Sequence, residues 1–297
     1  MGERRWAGWA VVGCLVSFAG VWVAQRAVDV SLLDVMVYRA AGWTVRTGGN
    51  LYALRVEHAQ LKMTYPPFAG LMFVPLTWVG TGAMRTAATA ANLLLVVALS
   101  ALSLRLVGRP ARVPAVLAVA ALAVWCEPVW ATVRYGQINL LLAVLVLWDL
   151  TRRAEHRWAG VGIGVAAGIK LTPALFVVML GAAGLLVRGT PYLRRALVAA
   201  GTFAGTVAVA AAALPADSRR YWTGVVVTAN RPGFAGNVAN QSLRGVVARL
   251  AHTAAPGTGW LCAAAVVAVV GLAVGVAALL AGDRLPWARP GRRWPAR

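Results

Sequence analysis

Acidic residues are scarce in this sequence: nine of its 297 residues are Asp or Glu, against 29 that are Lys or Arg. Lysine is almost missing as well, since arginine outnumbers it 27 to 2, and the three cysteines and three histidines are isolated. No Walker A or GxGxxG pattern occurs, and no CxxC or histidine-rich spacing. These absences argue against a nucleotide site and a metal site, so we expect no cofactor of either kind.

Apolar residues dominate what is present, at 60% of the chain. A soluble domain of this size is not so apolar, so the composition indicates a polytopic membrane protein built as an all-α helical bundle. The net charge of +20 lies in short arginine clusters between apolar runs, where it sets membrane orientation, and we therefore reject a nucleic-acid partner. We predict one integral membrane domain over residues 1–297, with eight spans near 6–24, 86–106, 113–131, 137–150, 158–169, 173–187, 196–215 and 260–281.

Residues 66–80 form a ninth apolar segment that contains Pro66, Pro67 and Pro75. Its length and its prolines favour a re-entrant or interfacial segment over a span. If it does not cross, the N-terminus, the short basic loops and the tail at 282–297 share one face, which then holds 16 arginines and four acids. The positive-inside rule assigns that face to the cytoplasm. The long segments 25–85 and 216–259 are then extracytoplasmic and carry most of the unusual polar residues.

Asp34 is the strongest candidate for a catalytic residue, because an acidic side chain beside a membrane costs free energy and usually marks a functional site. It lies about ten residues beyond the first span, in a stretch whose helical spacing turns valines and alanines towards the membrane and turns Asp34, Tyr38 and Arg39 away from it. A carboxylate there can act as a general base towards a hydroxyl group. The alternatives are a solvated acid paired with Arg39, and Asp29 as the base.

Two further segments carry candidate donor-binding residues. In TYPPF, proline holds Tyr65 out of a helix, and this tyrosine either lines a lipid slot or anchors the chain at the interface. Arg134, Gln137 and Asn139 form a polar break between two spans. They either bind phosphate and sugar hydroxyls or cap helix ends beside a snorkelling arginine.

Lys170 and a later polar loop complete the candidate set. Lys170 lies beside Pro173 at the predicted outer interface, where an ammonium is either a counter-ion for a lipid phosphate or a snorkelling side chain. Asn240 and Gln241, in GNVANQSLRG together with Asn237, either bind an acceptor or belong to an ordinary polar loop. Tyr38 is a third candidate for acceptor binding. His58 and the other two histidines have no partner at metal-ligand spacing.

Six ordered segments together resemble one family. They are DxxVYxxA (34–41), GGNLY (48–52), TYPPF (64–68), GQINLLL (136–142), GIKLTP (168–173) and NQSLRG (240–245). The chain is similar in these segments to glycosyltransferase family 87, the actinobacterial integral-membrane α-mannosyltransferases of GT-C type that use polyprenol-phosphate-mannose. The resemblance implies a catalytic acid on the first extracytoplasmic loop, and the matching position is Asp34.

The resemblance also implies a mechanism and its partners. The donor is a polyprenyl-phosphate sugar and the acceptor a glycan or glycolipid, with inversion at an extracytoplasmic site in the cell membrane. The sequence lacks the HH motif and the further spans of the family, so we expect a C-terminally truncated member. A lipid carrier or flippase would use the same basic residues, but it would favour mid-membrane charges and inverted repeats. An inactive remnant is the third alternative.

Overall fold

The computed structural model describes residues 2–27, 32–56, 60–152, 156–187, 191–227, 240–253 and 257–282. This part of the chain is all-helical, without a β-strand, and an isolated antiparallel bridge joins Val56 to Leu61. Short 3₁₀ segments cover Leu51–Ala53 and Val74–Thr77, and a π-helical turn covers Tyr221–Val225. The α-helices are α1 (Gly2–Ala27), α2 (Leu33–Arg46), α3 (Pro67–Phe73), α4 (Thr81–Leu106), α5 (Val113–Ala123), α6 (Glu127–Tyr135), α7 (Asn139–Leu150), α8 (Val161–Ile169), α9 (Ala174–Leu186), α10 (Tyr192–Ala213), α11 (Pro215–Arg220), α12 (Leu243–Leu250) and α13 (Gly259–Gly282).

Four of the described helices are long and apolar enough to cross a membrane. They are α1 from Arg5, α4, α10 and α13 to Ala281, which correspond to the predicted spans 6–24, 86–106, 196–215 and 260–281. The predicted span 113–131 is not one continuous helix, because α5 and α6 meet at a bend of 79°. If this bent pair counts as one span, the described part of the chain has five candidates. The all-α membrane class is confirmed, and the number of eight spans stays a prediction.

The remaining predicted spans correspond to shorter helices. α7, α8 and α9 have 12, 9 and 13 residues. At 1.5 Å per residue they are about 18, 14 and 20 Å long, against about 30 Å of membrane hydrocarbon. The segment Pro67–Thr77 is also too short to cross, which agrees with a re-entrant or interfacial position for residues 66–80.

The chain divides into two compact units. The first comprises residues 1–178 and 194–227, and the second residues 179–193 and 228–297. In the first unit, α1, α4, α5 and α6 share an apolar core around the fully buried Val21, Val96, Val124 and Val133. In the second unit, Ser242 caps α12 by accepting a hydrogen bond from the backbone of Gly245. The prediction of one domain over the whole chain stays a prediction.

The segment after TYPPF packs tightly against α2. Pro66 is extended and Pro67 begins α3, a position where the missing N–H of proline costs nothing. A methyl group on Gly42 of α2 would overlap the carbonyl group of Phe73, so the two backbones touch. The predicted orientation of α2 is therefore wrong in part: its apolar side faces protein, and Tyr38 is buried with it, at 3% exposure.

Candidate active site

Asp34 lies in the first turn of α2. The two residues before it are Leu32, whose backbone has left-handed dihedrals, and Leu33. This position places the carboxylate near the positive end of the helix dipole, which favours its charged form. The side chain is half-buried in the first unit. α2 therefore supplies a carboxylate that is held in place at one end of a helix and is shielded from water on one side.

A chain of hydrogen bonds connects Lys170 to Asp34 through two carboxamides. The Lys170 ammonium donates to Asn139 Oδ1 at 2.9 Å, and Asn139 Nδ2 donates to Gln137 Oε1 at 2.7 Å. The Gln137 side chain then hydrogen-bonds the Asp34 carboxylate. An ammonium only donates and a carboxylate only accepts, so the two ends fix which way both carboxamides point. We call this chain the Lys170–Asp34 relay.

The environment of Asp34 moves its pKa in two directions. Burial is the largest effect and raises the pKa, while the Gln137 hydrogen bond and the Lys170 charge lower it. The net result is a pKa above the ordinary value for Asp. A carboxylate with a raised pKa holds a proton more tightly, which is what a general base needs, provided that it is ionised at the working pH.

Aromatic rings form a wall beside the relay. The ring of Tyr38 stacks on Phe73 with centroids 4.4 Å apart, and Tyr65 meets both rings edge-on. The hydroxyl groups of Tyr38 and Tyr65 are 3.0 Å apart, and the backbone N–H of Ile138 donates to the Tyr38 hydroxyl at 3.3 Å. Burial raises the pKa of both tyrosines, so they stay neutral. The Lys170 ammonium lies 5.5 Å from the centroid of the Tyr65 ring, an arrangement that stabilises the cation.

A second layer of contacts supports Tyr65 from behind. The Tyr52 hydroxyl donates to the backbone carbonyl of Tyr65 at 2.9 Å, and the Tyr52 ring stacks on Tyr221. The preceding residue, Leu51, donates its backbone N–H to Asp217 Oδ1 at 3.2 Å, although 166 residues separate the two. Neither Tyr52 nor Asp217 was predicted from the sequence as a site residue. The scarcity of acids was an available signal for Asp217, which is buried at 7% exposure.

The structure brings six of the nine predicted site residues together. They are Asp34, Tyr38, Tyr65, Gln137, Asn139 and Lys170. Arg39, proposed as an alternative partner of Asp34, instead donates to the carbonyl of Val79 at 3.3 Å. Among the described residues, no group of three His, Cys, Asp or Glu side chains is placed to hold a metal ion.

The other three predicted site residues are Arg134, Asn240 and Gln241. Arg134 is exposed in the last turn of α6, with its guanidinium 5.7 Å from the ring centroid of Tyr135. Asn240 and Gln241 belong to the second unit, where Asn240 Oδ1 accepts hydrogen bonds from the backbone and hydroxyl of Ser242. The candidates Asp29, His58 and Asn237 lie outside the described residues.

Comparison with known proteins identifies similar sequences over most of the chain. The model of glycosyltransferase family 87 matches residues 63–290. A polyprenol-phosphate-mannose-dependent alpha-(1-2)-phosphatidylinositol pentamannoside mannosyltransferase of Mycolicibacterium smegmatis is 34% identical over 282 residues, which cover 93% of this chain and 66% of that protein. The enzyme of the same description from Mycobacterium tuberculosis is 32% identical over 262 residues, or 85% of this chain and 58% of that protein.

A second kind of relative also matches. A polyprenol-phosphate-mannose-dependent alpha-(1-2)-phosphatidylinositol mannoside mannosyltransferase of Mycobacterium tuberculosis is 32% identical over 263 residues, covering 82% of this chain and 60% of that protein. The chain thus spans about three fifths of the length of the curated relatives it matches. No solved structure matches it significantly.

Proposed function

The chain belongs to glycosyltransferase family 87, and from that premise we propose that it transfers a mannosyl or related unit from a polyprenyl-phosphate sugar to a glycan or glycolipid acceptor. The relatives are described as polyprenol-phosphate-mannose-dependent, and their described acceptors are phosphatidylinositol mannosides. The observation that carries the proposal is the Lys170–Asp34 relay, because it holds a base and a cation in one site. The apolar helices are consistent with a donor that is held by its lipid chain.

Asp34 acts as the general base in this proposal. The acceptor hydroxyl attacks the anomeric carbon of the donor while its proton passes to the Asp34 carboxylate. The bond between the anomeric carbon and the phosphate oxygen breaks, and the polyprenyl phosphate leaves with the electron pair. One displacement inverts the configuration, so a β-linked donor gives an α-linked product. The raised pKa of Asp34 makes it a stronger proton acceptor than an exposed Asp.

Lys170 offsets the charge of the departing phosphate. Its ammonium is already positioned by Asn139 and by the ring of Tyr65, so little reorganisation is needed when negative charge develops on the leaving group. A single phosphate can be neutralised by basic side chains, and the proposal therefore requires no metal. The carboxamides of Gln137 and Asn139 orient the base and the cation relative to each other.

The reaction takes place at the extracytoplasmic face of the cell membrane in this proposal. The short arginine-rich loops favour a cytoplasmic position for the opposite helix ends. The membrane keeps the polyprenyl chain in register, and the aromatic wall of Tyr38, Tyr65 and Phe73 shields the reacting carbon from water.

Substitution of Asp34 tests the proposed function. Membranes that contain the chain are given labelled polyprenol-phosphate-mannose and a phosphatidylinositol mannoside acceptor, and labelled product is measured. Asp34→Asn keeps the size of the side chain but cannot accept a proton, so transfer should fall about 10²–10⁴-fold while donor binding persists. Asp29→Asn is the matched control and should have a mild effect.

Three outcomes would contradict the proposal. Near-normal transfer by Asp34→Asn would exclude it as the base, and a larger loss in Asp29→Asn would move the base to that residue. Donor binding without transfer by the wild-type chain would favour a lipid carrier instead.

A further inference from the structure

A cavity of about 120 Å³ with both polar and apolar walls lies between the end of α1 and the start of α4. One water molecule requires only about 10–15 Å³ of such space, so the cavity is large enough for a bigger ligand. The side chains that line it include Trp22, Gln25, Arg26, Arg85, Thr86 and Thr89. None of these residues belongs to the Lys170–Asp34 relay, and the mechanism above does not use the cavity.

Two of the five polar side chains that line the cavity are positively charged arginines. Arg26 donates from Nη2 to the hydroxyl of Thr86 at 3.3 Å, and its guanidinium lies 5.7 Å from the ring centroid of Trp22. Arg85 supplies a second guanidinium, and no acidic residue is among the described residues that line the cavity. Two guanidiniums beside hydroxyl groups favour an anion with several oxygens.

Gln25 supplies an independent indication of a ligand. Its side chain is almost fully buried, with 7% of the residue exposed. Its Oε1 accepts a hydrogen bond from the Thr89 hydroxyl at 3.4 Å, but its Nε2 has no hydrogen-bond partner among the described residues. A buried amide donor without an acceptor is costly, and because this nitrogen is enclosed by protein, a ligand oxygen in the cavity would satisfy it after a rotation of the Gln25 side chain.

The position of the cavity relative to the membrane narrows the choice of ligand. α1 and α4 are both candidate spans, and the cavity lies where α1 ends and α4 begins. The end of a span is the level of lipid headgroups, where arginine and tryptophan side chains are typical. Leu32 also lines the cavity and lies two residues before Asp34, which places the cavity on the face that carries the candidate active site.

We propose that this cavity binds the phosphate group of an anionic lipid at the membrane face. The two guanidiniums pair with phosphate oxygens, the Thr86 hydroxyl and the Gln25 amide donate to the same group, and the acyl or prenyl chain lies along the apolar sides of α1 and α4. The ligand class is a lipid phosphate, either the monoester of a polyprenyl phosphate or the diester of a phospholipid. The site is separate from Lys170 and does not depend on the proposed transfer reaction.

The test measures lipid binding directly, without an acceptor sugar. The full chain is purified in detergent and titrated in native mass spectrometry with phosphatidylglycerol, with polyprenyl phosphate and with diacylglycerol, which lacks phosphate. Of the two phosphate-bearing lipids, phosphatidylglycerol and polyprenyl phosphate, we expect one to bind. We expect diacylglycerol not to bind. The variant Arg26→Met/Arg85→Met should weaken that binding at least about tenfold, because each arginine makes a charged hydrogen bond.

The matched control is Arg5→Met/Arg105→Met. Arg5 and Arg105 lie on the same two helices at their opposite ends, so the pair removes the same charge far from the cavity. Gln25→Glu, which places a carboxylate where the amide was, should weaken binding as well. The natural source of the phosphate is identified by the lipid, phosphatidylglycerol or polyprenyl phosphate, that loses affinity in the Arg26→Met/Arg85→Met variant.

Three results would overturn the proposal. Equal losses in the cavity pair and the control pair would indicate general electrostatic attraction. Diacylglycerol binding as tightly as the phosphate-bearing lipids would exclude phosphate recognition. Inorganic phosphate binding with the same affinity as the lipids would exclude a lipid ligand. Because no transfer is measured, loss of mannosyl transfer in the Asp34 experiment leaves this result unaffected.

Discussion

Lys170 has two parts in the proposed reaction, since we propose that it offsets the charge of the donor phosphate, and its charge lowers the pKa of Asp34. Lys170→Met should weaken donor binding more than Lys170→Arg, because the partner is an anion. Removing the charge should also raise the pKa of Asp34, so the acidic limb of the pH–rate profile should move to higher pH in Lys170→Met and less in Lys170→Arg. Donor titrations and pH–rate profiles measure both effects. Equal donor affinity in both variants and the wild type would remove Lys170 from the site.

The buried carboxylate of Asp34 has a cost in stability. Its pKa is raised in the folded chain, so this group stabilises the fold most when protonated, and that contribution is lost as the pH rises through the raised value. Asn has no charge to bury. Asp34→Asn should therefore have an apparent Tm in detergent equal to or above that of the wild type at pH 7, with the difference shrinking towards pH about 4, near the ordinary pKa of Asp. A lower Tm at pH 7 would mean that the Gln137 and Lys170 interactions outweigh burial.

The identity of the central site residues could be predicted from the sequence, but their supports could not. Acid scarcity and the family motifs point to Asp34 and Lys170, and both lie in the relay. The direction of each carboxamide depends on side chains from three separate elements, which a linear pattern does not contain. The contact between Asp217 and Leu51 closes a loop of 166 residues, and no local signal encodes such a closure.

Helix α8 shows how small residues set the position of a helix end. Gly160, Gly164 and Gly168 recur every four residues, and a methyl group on each would overlap atoms of α10, at Arg195, Ala199 and Thr206. Small residues at this spacing let two helices approach closely, and here they bring α8 against α10. Lys170 directly follows α8, so the close packing of α8 against α10 also sets the position of the Lys170 ammonium.

Gly164→Ala tests this packing. The added Cβ would lie 2.5 Å from the carbonyl oxygen of Ala199, a backbone atom that cannot move aside, and overpacking of this kind costs about 1–3 kcal/mol. We expect a lower apparent Tm and weaker donor binding. Gly201→Ala, on α10 with open space around it, is the matched control and should be neutral or slightly stabilising. Equal effects of the two substitutions would show that α8 and α10 are not closely packed at Gly164.

The bend between α5 and α6 could have been predicted from the sequence. The predicted span 113–131 contains Pro128, and a proline inside an apolar helical pattern interrupts or kinks the helix, whereas it is tolerated in the first turn of a new one. In the structure Cys126 is extended and α6 starts afresh at Glu127, with Pro128 in its first turn. Hydrophobic length alone favoured one span, and the proline rule was the stronger constraint. α6 ends at Gly136, whose backbone is left-handed, and the polar residues Gln137 and Asn139 that follow supply the two relay carboxamides.

At the scale of the whole molecule, α7 and α8 form an antiparallel pair whose two ends have different roles. At one end Asn139 meets Lys170, and at the other Asp149 Oδ2 accepts the backbone N–H of Ile163 at 2.7 Å. The pair is about 14–18 Å deep, about half of the membrane hydrocarbon. Apolar composition predicts burial but does not state depth, which is why the predicted spans 137–150 and 158–169 were longer than the helices.

The predicted membrane orientation can be tested with reporter fusions. Arg195 donates to the backbone carbonyl of Arg152, so two of the arginine-rich segments lie at the same end of the first unit, and the positive-inside rule places that end in the cytoplasm. α10 is a candidate span that has Arg194 in its first turn and ends before Arg219 in α11. Reporters fused at Arg194, or at Arg153 outside the described residues, should therefore read cytoplasmic, and one fused at Arg219 should read extracytoplasmic. A cytoplasmic signal at Arg219 would overturn this orientation, require residues 66–80 to cross the membrane, and move Asp34 and the relay away from the proposed face.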